Sequence, residues 1–305
     1  YDLCKIESQP TTFDLGFRLG PRINAGGRVG KSSHGAELLI SNDPKKTYQI
    51  ALDLDKSNKE RQSIELLLSE QINIEVKNYH NHPVLVMSGD KWHEGIIGIV
   101  ASRIKDKYNK PTILISLDKN VGKGSARSIF GFDIGSQIIK AVHLGILEKG
   151  GGHKMAGGFT LKKENIPEFR NFLIKNFEKN DVNPSKHINL YLDAIIAPSA
   201  INEQFFEEIN CLAPFGSGNT EPKFVIEDIK VISSYIVGND HIKSVLVGKD
   251  GSVFKSFTWN GKNSPLEPFL NIKNKKKITI AGKIRLNQWR GERKAEFMIE
   301  DIALN

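Results

Sequence analysis

The chain has 305 residues, of which 39% are hydrophobic and 26% charged, the balance of a globular protein large enough for two or three domains. No apolar run approaches the ~20 residues of a membrane-spanning helix, and no signal peptide is visible. The two cysteines, Cys4 and Cys211, fit neither a disulfide framework nor the ligand spacing of a zinc site. The net charge of the chain is +8, and residues 271–294 alone carry this excess, with nine Lys or Arg residues and one Glu. This concentration of positive charge predicts a local phosphate-binding surface.

The first 42 residues contain the run G-P-R-I-N-A-G-G-R, with Arg22, Asn24 and Arg28. The overlapping run G-R-V-G-K-S-S superficially resembles a nucleotide-binding P-loop. We reject that reading because Ala25 stands where the first glycine is required and no apolar strand precedes it.

A long helix is predicted next, over residues 43–78. Asp43 followed by Pro44 is a typical helix start, and apolar residues then recur at helical spacing for about 30 residues, or ~45 Å. Because this length exceeds one small core, we interpret the helix as a connector between domains. Its polar residues Asn58, Arg61 and Gln62 are expected on a solvent-exposed face.

Residues 79–182 alternate predicted strands and helices, which indicates an α/β domain. Its strands are expected at 83–87, 112–115, 122–129 and 159–161, and its helices at 96–108, 133–147 and 165–177. The pair His93 and Glu94 lies at a helix start. Since no third ligand follows at helical spacing, helix capping is favoured over metal binding.

Two glycine-rich motifs flank the middle of this domain: G-K-G-S-A-R-S at 122–128 and G-G-G-H-K-M-A-G-G-F at 150–159. Consecutive glycines suggest positive φ angles and exposed amide groups that bind an anion, and Arg127 can hold a phosphate through two parallel hydrogen bonds. A flexible hairpin loop with a structural histidine is the alternative. The candidate substrate-binding residues are Ser125, Arg127, Ser128, Gly150, Gly151, Gly152 and His153, with Lys123 and Lys154 adding positive charge.

After a polar linker at 180–185, residues 186–305 consist mainly of short β-type runs separated by turn clusters. Strands are predicted at 190–192, 224–226, 244–247, 256–259, 277–280 and 296–299, with one helix at 199–209. About five or six such strands suit a small oligonucleotide-binding (OB) barrel.

Aromatic residues interleave with the basic ones in this second domain, the combination that single-strand binding requires. Phe257 is equally compatible with the barrel interior, whereas Trp289, in a turn-like sequence, is harder to bury. The predicted nucleic-acid-binding residues are Trp259, Lys275, Lys276, Lys277, Lys283, Arg285, Trp289, Arg290 and Arg293.

Taken together, G-S-A-R-S followed by G-G-G-H-x-x-A-G-G-F resembles the DHH-associated domain of the DHH phosphoesterase superfamily. Three further runs, at residues 20–28, 92–103 and 212–224, resemble the superfamily's bacterial single-strand-specific 5′→3′ DNA exonucleases. The likeness runs in the same order over nearly the whole chain. The superfamily's N-terminal catalytic motifs, including Asp-His-His, are not in this sequence, which begins at Tyr1 and is expected to be a truncated piece.

The resemblance implies three parts: the end of an α/β DHH catalytic domain at 1–42 with the connecting helix at 43–78, a DHH-associated domain at 79–182, and an OB barrel at 186–305. It implies DNA repair and recombination in a bacterial cytoplasm, with single-stranded DNA as partner and Mn²⁺ or Mg²⁺ held outside this chain. Neither a catalytic residue nor a metal ligand is identified here, and protein partners are unknown.

The resemblance also implies roles for the candidate residues. Ser125 and Arg127 are expected at the terminal 5′-phosphate, and Gly151, Gly152 and His153 near the scissile or a neighbouring phosphate. Arg22 and Arg28 are expected to line the same cleft. Two alternatives stay open: a non-catalytic single-strand-binding fragment, and a phosphoesterase acting on short RNA or cyclic dinucleotides.

Overall fold

A computed structural model describes residues 1–7, 9–79, 81–180, 189–271, 276–289 and 292–304; the side chains of Gln288 and Trp289 are outside this description. The chain divides into two compact units, Tyr1–Asn189 and Leu190–Asn305. Among the described residues no helix is both long and apolar enough to span a membrane.

The first unit opens with helices. A π-helical turn at Asp14–Leu19 leads into α1 (Gly20–Val29), followed by α2 (His34–Ile40) and α3 (Pro44–Glu75). The predicted start of α3 is confirmed, because the Asp43 carboxylate accepts hydrogen bonds from the main-chain N–H groups of Lys45 and Lys46. The 32 residues of α3 also match the predicted length.

The expectation of a solvated polar face on α3 is wrong for Asn58 and Arg61. Asn58 is buried and accepts hydrogen bonds from Arg61, which also pairs with the buried Glu65. Arg103, on the next helix, binds the other oxygen of Glu65. A buried carboxylate requires compensating cations, and these polar residues therefore join two helices instead of facing water.

Asp55 provides a pH-dependent link between α3 and α1. Hydrogen bonds and charge from Lys59 and Arg22 hold the pKa of Asp55 below its ordinary value, against the effect of burial. A lowered folded-state pKa means that the carboxylate stabilises the fold above the unfolded-state pKa and that this contribution is lost as the pH falls.

We expect Asp55→Asn to lower the free energy of unfolding by about 1.5–3 kcal/mol at neutral pH, the typical value for hydrogen bonds to a charged group. The difference from wild type should shrink only as the pH falls below about 4, from the unfolded-state pKa towards the lowered folded-state pKa of Asp55. Chemical denaturation at several pH values tests this, with Asp53→Asn on the same helix as the matched control. A difference that stays constant with pH would contradict the proposed charge pairing.

The rest of the first unit is a five-stranded sheet with helices on both faces. The elements are β1 (Leu85–Asp90), α4 (Glu94–Tyr108), β2 (Thr112–Asp118), β3 (Val121–Arg127), α5 (Ile134–His143), β4 (Lys149–His153), β5 (Ala156–Lys162) and α6 (Ile166–Lys179). The strand order is β1-β2-β3-β5-β4; β1 and β2 pair in parallel, and the other neighbours pair antiparallel.

Each face of this sheet has its own core. The face covered by α5 and α6 buries Phe132, Phe159 and Phe169. The opposite face packs α4 and the C-terminal half of α3 through Ile72 and Ile96. The predicted α/β architecture is confirmed, and α3 contributes to a core in addition to connecting segments.

The backbone conformation of the glycines at 150–152 differs from the positive φ angles that the sequence predicted. These glycines lie in edge strand β4, and none of the three has a positive φ. Gly150 and Gly152 are glycines for steric reasons. A Cβ on Gly150 would lie 2.7 Å from Ile138 of α5, and one on Gly152 would lie 2.4 Å from the Ala156 carbonyl oxygen.

Helix α5 also ends earlier than the predicted residue 147. Gly145 adopts φ 75°, and the Ile146 N–H donates to the Ala141 carbonyl. This glycine-terminated C-cap stops the helix at His143, because a left-handed residue cannot continue it.

The second unit contains β6 (Ala194–Ile195), α7 (Glu203–Asn210), β7 (Phe224–Val237), β8 (His241–Val247), β9 (Val253–Thr258), β10 (Ile278–Trp289) and β11 (Glu292–Leu304). β7, β8, β9, β11 and β10 pair in that order, and β10 pairs again with β7, so the five strands close a barrel. β9 and β11 are parallel. The predicted OB-type barrel is confirmed.

Two predicted elements of this unit differ from the structure. Residues 190–192 are not a strand, and β6 begins two residues after them. The predicted helix at 199–209 is a short 3₁₀ turn followed by α7, because the Asn202 side chain caps α7 by accepting from the Phe205 N–H.

Candidate nucleic-acid interface

Strand register places the two glycine motifs side by side on one face of the sheet. Residues directly opposite each other in antiparallel strands point to the same face. Across β3, β5 and β4 this gives three parallel rows. The rows are Arg127, Ala156 and His153; Ser125, Gly158 and Gly151; and Lys123, Thr160 and Lys149.

Helix α4 forms a wall beside these rows. A Cβ on Gly98 would lie 2.9 Å from both the Arg127 Nη2 atom and the Ser125 Oγ atom, so any side chain at this position would displace these two groups where α4 crosses β3. At the start of α4, the His93 Nδ1 atom accepts a hydrogen bond of 3.2 Å from the Gly95 N–H. The predicted capping role of His93 is confirmed, and Glu94 pairs with Lys123 at 2.9 Å.

Arg127 is a half-buried cation without a carboxylate partner among the described residues. Its Nη1 atom donates to the Ser125 Oγ at 3.1 Å and to the Ala126 carbonyl at 2.8 Å. Burial lowers the pKa of Arg127, and the positive charge of Arg28 lowers it further. Since arginine remains protonated in proteins, the site holds positive charge that an anion would compensate.

Arg28 reaches this site because α1 docks against the start of α4. Its Nη1 atom donates to the Gly95 carbonyl at 3.0 Å, and a Cβ on Gly95 would lie 2.5 Å from the Arg28 carbonyl oxygen. Glycine at position 95 is therefore required for the two helices to meet. The sequence alone did not show that Arg28 and Arg127 share one electrostatic environment.

The other residues of the first motif have different environments. Arg22 is bound to Asp55 at 2.8 Å and to the Arg18 carbonyl at 2.7 Å, and Asn24 is exposed on α1. Arg22 therefore holds α1 on α3 in this structure.

The remaining candidates of the glycine motifs divide by exposure. The Ser128 hydroxyl is buried and donates to the Phe132 carbonyl at 2.6 Å, so it is turned away from the rows. His153 is exposed and its Nδ1 accepts from the Met155 N–H at 3.3 Å. Gly151 has no atom within 4 Å of a built Cβ, so its outer side is open.

An open groove of about 490 Å³ runs over this face. Its floor consists of main chain and small side chains from β3, β5 and β4, and its wall is the first turn of α4. The lining residues are Glu94, Ile97, Lys123, Gly124, Ser125, Lys149, Gly150, Gly158, Phe159 and Thr160.

The barrel presents a separate aromatic cluster on the outer face of β8 and β9. Trp259 is 58% exposed and stacks on His241, with ring centroids 4.2 Å apart and planes 26° from parallel. Phe257 is half-buried and lies 5.8 Å from Trp259, so it faces outward instead of into the barrel. This surface was predicted only through Trp259.

His241 was missed at the sequence level. His241 begins β8, and the neighbouring strand β9 ends just before Trp259. The two rings are brought together by the β8–β9 register, which pairs Ile242 with Thr258, so the sequence alone does not show that they are neighbours. The Asn260 N–H donates to the His241 Nδ1 at 3.0 Å and fixes the ring. Strands β8 and β9 are the second and third barrel strands, the usual ligand-binding face of an OB fold.

The predicted basic surface of the barrel is largely ion-paired. Lys277 lies 3.3 Å from Asp228, Lys283 lies 2.8 Å from Glu221, and Arg293 lies 3.1 Å from Glu203. Lys276 and Arg285 are exposed. Lys275, Arg290 and the side chain of Trp289 are outside the described residues. Counting Lys and Arg residues in the sequence therefore overestimated how much positive charge remains unpaired on the barrel. The count left out the acidic side chains that folding brings close to these residues.

No group of three or more His, Cys, Asp or Glu side chains is positioned to hold a metal ion within the described part of the chain.

The sequence matches two family models. The DHHA1 domain model covers residues 81–179, and the RecJ OB domain model covers residues 192–301. The first includes β3, β4, β5 and α4, which form the groove. The second includes the aromatic cluster of β8 and β9.

Several relatives are similar over almost the whole chain. The single-stranded-DNA-specific exonuclease RecJ of Haemophilus influenzae is 33% identical over 309 residues, which cover 96% of this chain and 52% of that protein. The protein of the same name from Bacillus subtilis is 31% identical over 300 residues, covering 95% of this chain and 37% of that protein. The chain thus spans about half, or less, of the length of these relatives.

Among solved structures, the crystal structure of RecJ in complex with Mn²⁺ from Thermus thermophilus matches with a TM-score of 0.80 at 23% identity. The match covers 98% of this chain and 42% of that chain. At this identity the similarity establishes the fold.

Proposed function

We propose that the chain belongs to the RecJ family, on the basis of its DHHA1 and RecJ OB domains. Within that family, it is the part of a single-stranded-DNA-specific 5′→3′ exonuclease that positions the DNA strand. Relatives over nearly its whole length are named single-stranded-DNA-specific exonucleases. The 5′→3′ polarity is what the family resemblance implies. The chain corresponds to the C-terminal portion of such an enzyme. We keep 1–42, 43–78, 79–182 and 186–305 as its proposed functional divisions.

The proposal rests on Arg127, a half-buried cation beside Arg28 that has no carboxylate partner among the described residues. Its Nη1 atom donates to the Ser125 Oγ, and Ser125 lines the groove. A 5′-terminal phosphate satisfies this site better than an internal phosphodiester. It carries nearly two negative charges and three acceptor oxygens, which suit a guanidinium and the Ser125 hydroxyl. His153 lies in the same row as Arg127 and adds an exposed imidazole.

The barrel supplies the second half of the proposal. Exposed aromatic rings bind the faces of successive bases irrespective of sequence, and bases are accessible in this way only in a single strand. The cluster of Trp259, His241 and Phe257 offers such a stacking surface on the ligand-binding face of the barrel.

Hydrolysis of the phosphodiester is proposed to take place outside this chain. The Thermus thermophilus RecJ structures contain Mn²⁺ or Mg²⁺, but the described residues here form no metal site. We therefore assign the metal-binding residues to another part of the full-length protein and derive no step through the metal from this chain. We propose a cytoplasmic location and action on single-stranded DNA; protein partners are not assigned.

The test is the affinity of the 305-residue chain for single-stranded oligonucleotides that differ only at the 5′ end. We expect a 5′-phosphorylated strand to bind about tenfold or more tightly than the same strand with a 5′-hydroxyl, because one charge-assisted contact is gained. A duplex of the same sequence should bind more weakly than the single strand. Equal affinity for all three ligands would contradict the proposal.

A further inference from the structure

A second group of cations lies on the same face of the sheet as Arg127, beyond Ser125. Lys123 and Lys149 lie on the same face as Arg127, with Thr160 between them in the register. Lys123 is four residues before Arg127 along β3, a separation of about 13 Å in an extended strand. The row of Ser125, Gly158 and Gly151 occupies the space between these two positively charged ends.

The charges at the far end are accessible. Lys149 is exposed and forms no ion pair with any described residue. Lys123 pairs with Glu94, but the two side chains are 57% and 52% exposed, so water screens the pair and an incoming anion can replace the carboxylate. Glu94 is the one acid lining the groove, so the two lysines give it a net positive charge.

Two glycines on this face of the sheet are not required by the fold: Gly158, which lines the groove, and Gly151, which lies opposite it in the register. A Cβ on Gly151 has nothing within 4 Å, and one on Gly158 comes only within 3.7 Å of the Gly124 carbonyl oxygen. Neither has a positive φ. Glycine weakens a strand relative to residues with side chains, so clearance for a ligand above the strand is the remaining physical reason for glycine here.

We propose that Lys123 and Lys149 form a second phosphate subsite, which binds an internal phosphodiester of the strand whose 5′-terminal phosphate lies at Arg127. Gly151 and Gly158 leave room for the nucleoside between the two phosphates. Glu94 competes with that phosphodiester for Lys123 and so limits its affinity. This inference rests on the proposed function, because it takes Arg127 as the position of the strand's 5′ end.

The subsite is tested by titrating the chain with a 5′-phosphorylated thymidine mononucleotide and with the corresponding trinucleotide. We expect Lys149→Gln and Lys123→Gln each to weaken trinucleotide binding about tenfold, the loss of one charge-assisted contact, and to leave mononucleotide binding unchanged. Glu94→Gln should strengthen trinucleotide binding. Lys140→Gln, an exposed lysine on α5 at the opposite face of the sheet, is the charge-matched control and should change neither ligand.

A second variant separates binding from folding. Gly151→Val should leave the melting temperature unchanged or raised, because its side chain enters open space, and should weaken trinucleotide binding by filling the groove. If Lys149→Gln and Gly151→Val both bind the trinucleotide as tightly as wild type, the subsite is refuted. If the wild type instead fails to prefer 5′-phosphorylated strands, the proposed function itself fails, so the two failures are distinguishable.

Discussion

Replacing Arg127 with alanine is expected to abolish the preference of the chain for a 5′-phosphorylated strand. The guanidinium is fixed by Ser125 and the Ala126 carbonyl, and its charge is uncompensated among the described residues. Losing one hydrogen-bonded contact to a charged phosphate corresponds to about 1.5–3 kcal/mol, which is more than tenfold in affinity. Binding to the 5′-hydroxyl strand should change far less, because the barrel still holds the bases.

Two variants act as controls for this result. Arg127→Lys retains the positive charge but loses the planar fork, so we expect an intermediate preference. Ser128→Ala removes a neighbouring hydroxyl that is buried against Phe132, so it should lower stability without changing the preference. Equal losses on both strands for Arg127→Ala would identify Arg127 as a general backbone contact or a structural residue.

Replacing Trp259 with alanine is expected to weaken binding of both strands equally. Stacking of a base on an aromatic ring is worth about 1–3 kcal/mol, and Trp259 presents the most exposed ring of the β8–β9 cluster. Because stacking involves no phosphate, the affinity should fall by the same factor at every salt concentration, and the slope of log K against log salt should not change.

The matched control for this prediction is Tyr191→Ala, which removes a ring that is 83% exposed in the same unit but outside β8 and β9. It should leave binding unchanged. Trp259→Phe should recover most of the lost affinity. If Trp259→Ala instead binds like wild type, the single strand does not run over the β8–β9 face.

The sequence predicted architecture better than it predicted the interface. Alternation of apolar and turn residues identified the α/β domain and the barrel, and the Asp43-Pro44 pair located the start of α3, because these are local signals. The three glycines at 150–152 predicted the wrong secondary structure. Gly150 and Gly152 are glycine because of Ile138 and Ala156, which folding brings close from other elements.

The contacts of the interface depend on long-range pairing. The resemblance implied that Arg28 lines the same cleft as Arg127, but no pattern of residues showed that α1 meets α4 at Gly95. His241, which joins Trp259 through the β8–β9 register, was not predicted. Neither approach leaves a local sequence pattern. The acids that neutralise Lys277, Lys283 and Arg293 are similarly distant in sequence, so a charge count could not identify them.

We propose that this chain binds and orients a single strand and that hydrolysis of the strand depends on another part of the full-length protein. Incubating 5′-phosphorylated single-stranded DNA with Mn²⁺ and either the 305-residue chain or the full-length protein tests this division of roles. We expect the chain to retard the strand on a gel and leave it intact, and the full-length protein to shorten the strand from the 5′ end. Cleavage by the purified chain that is abolished by EDTA would refute this division.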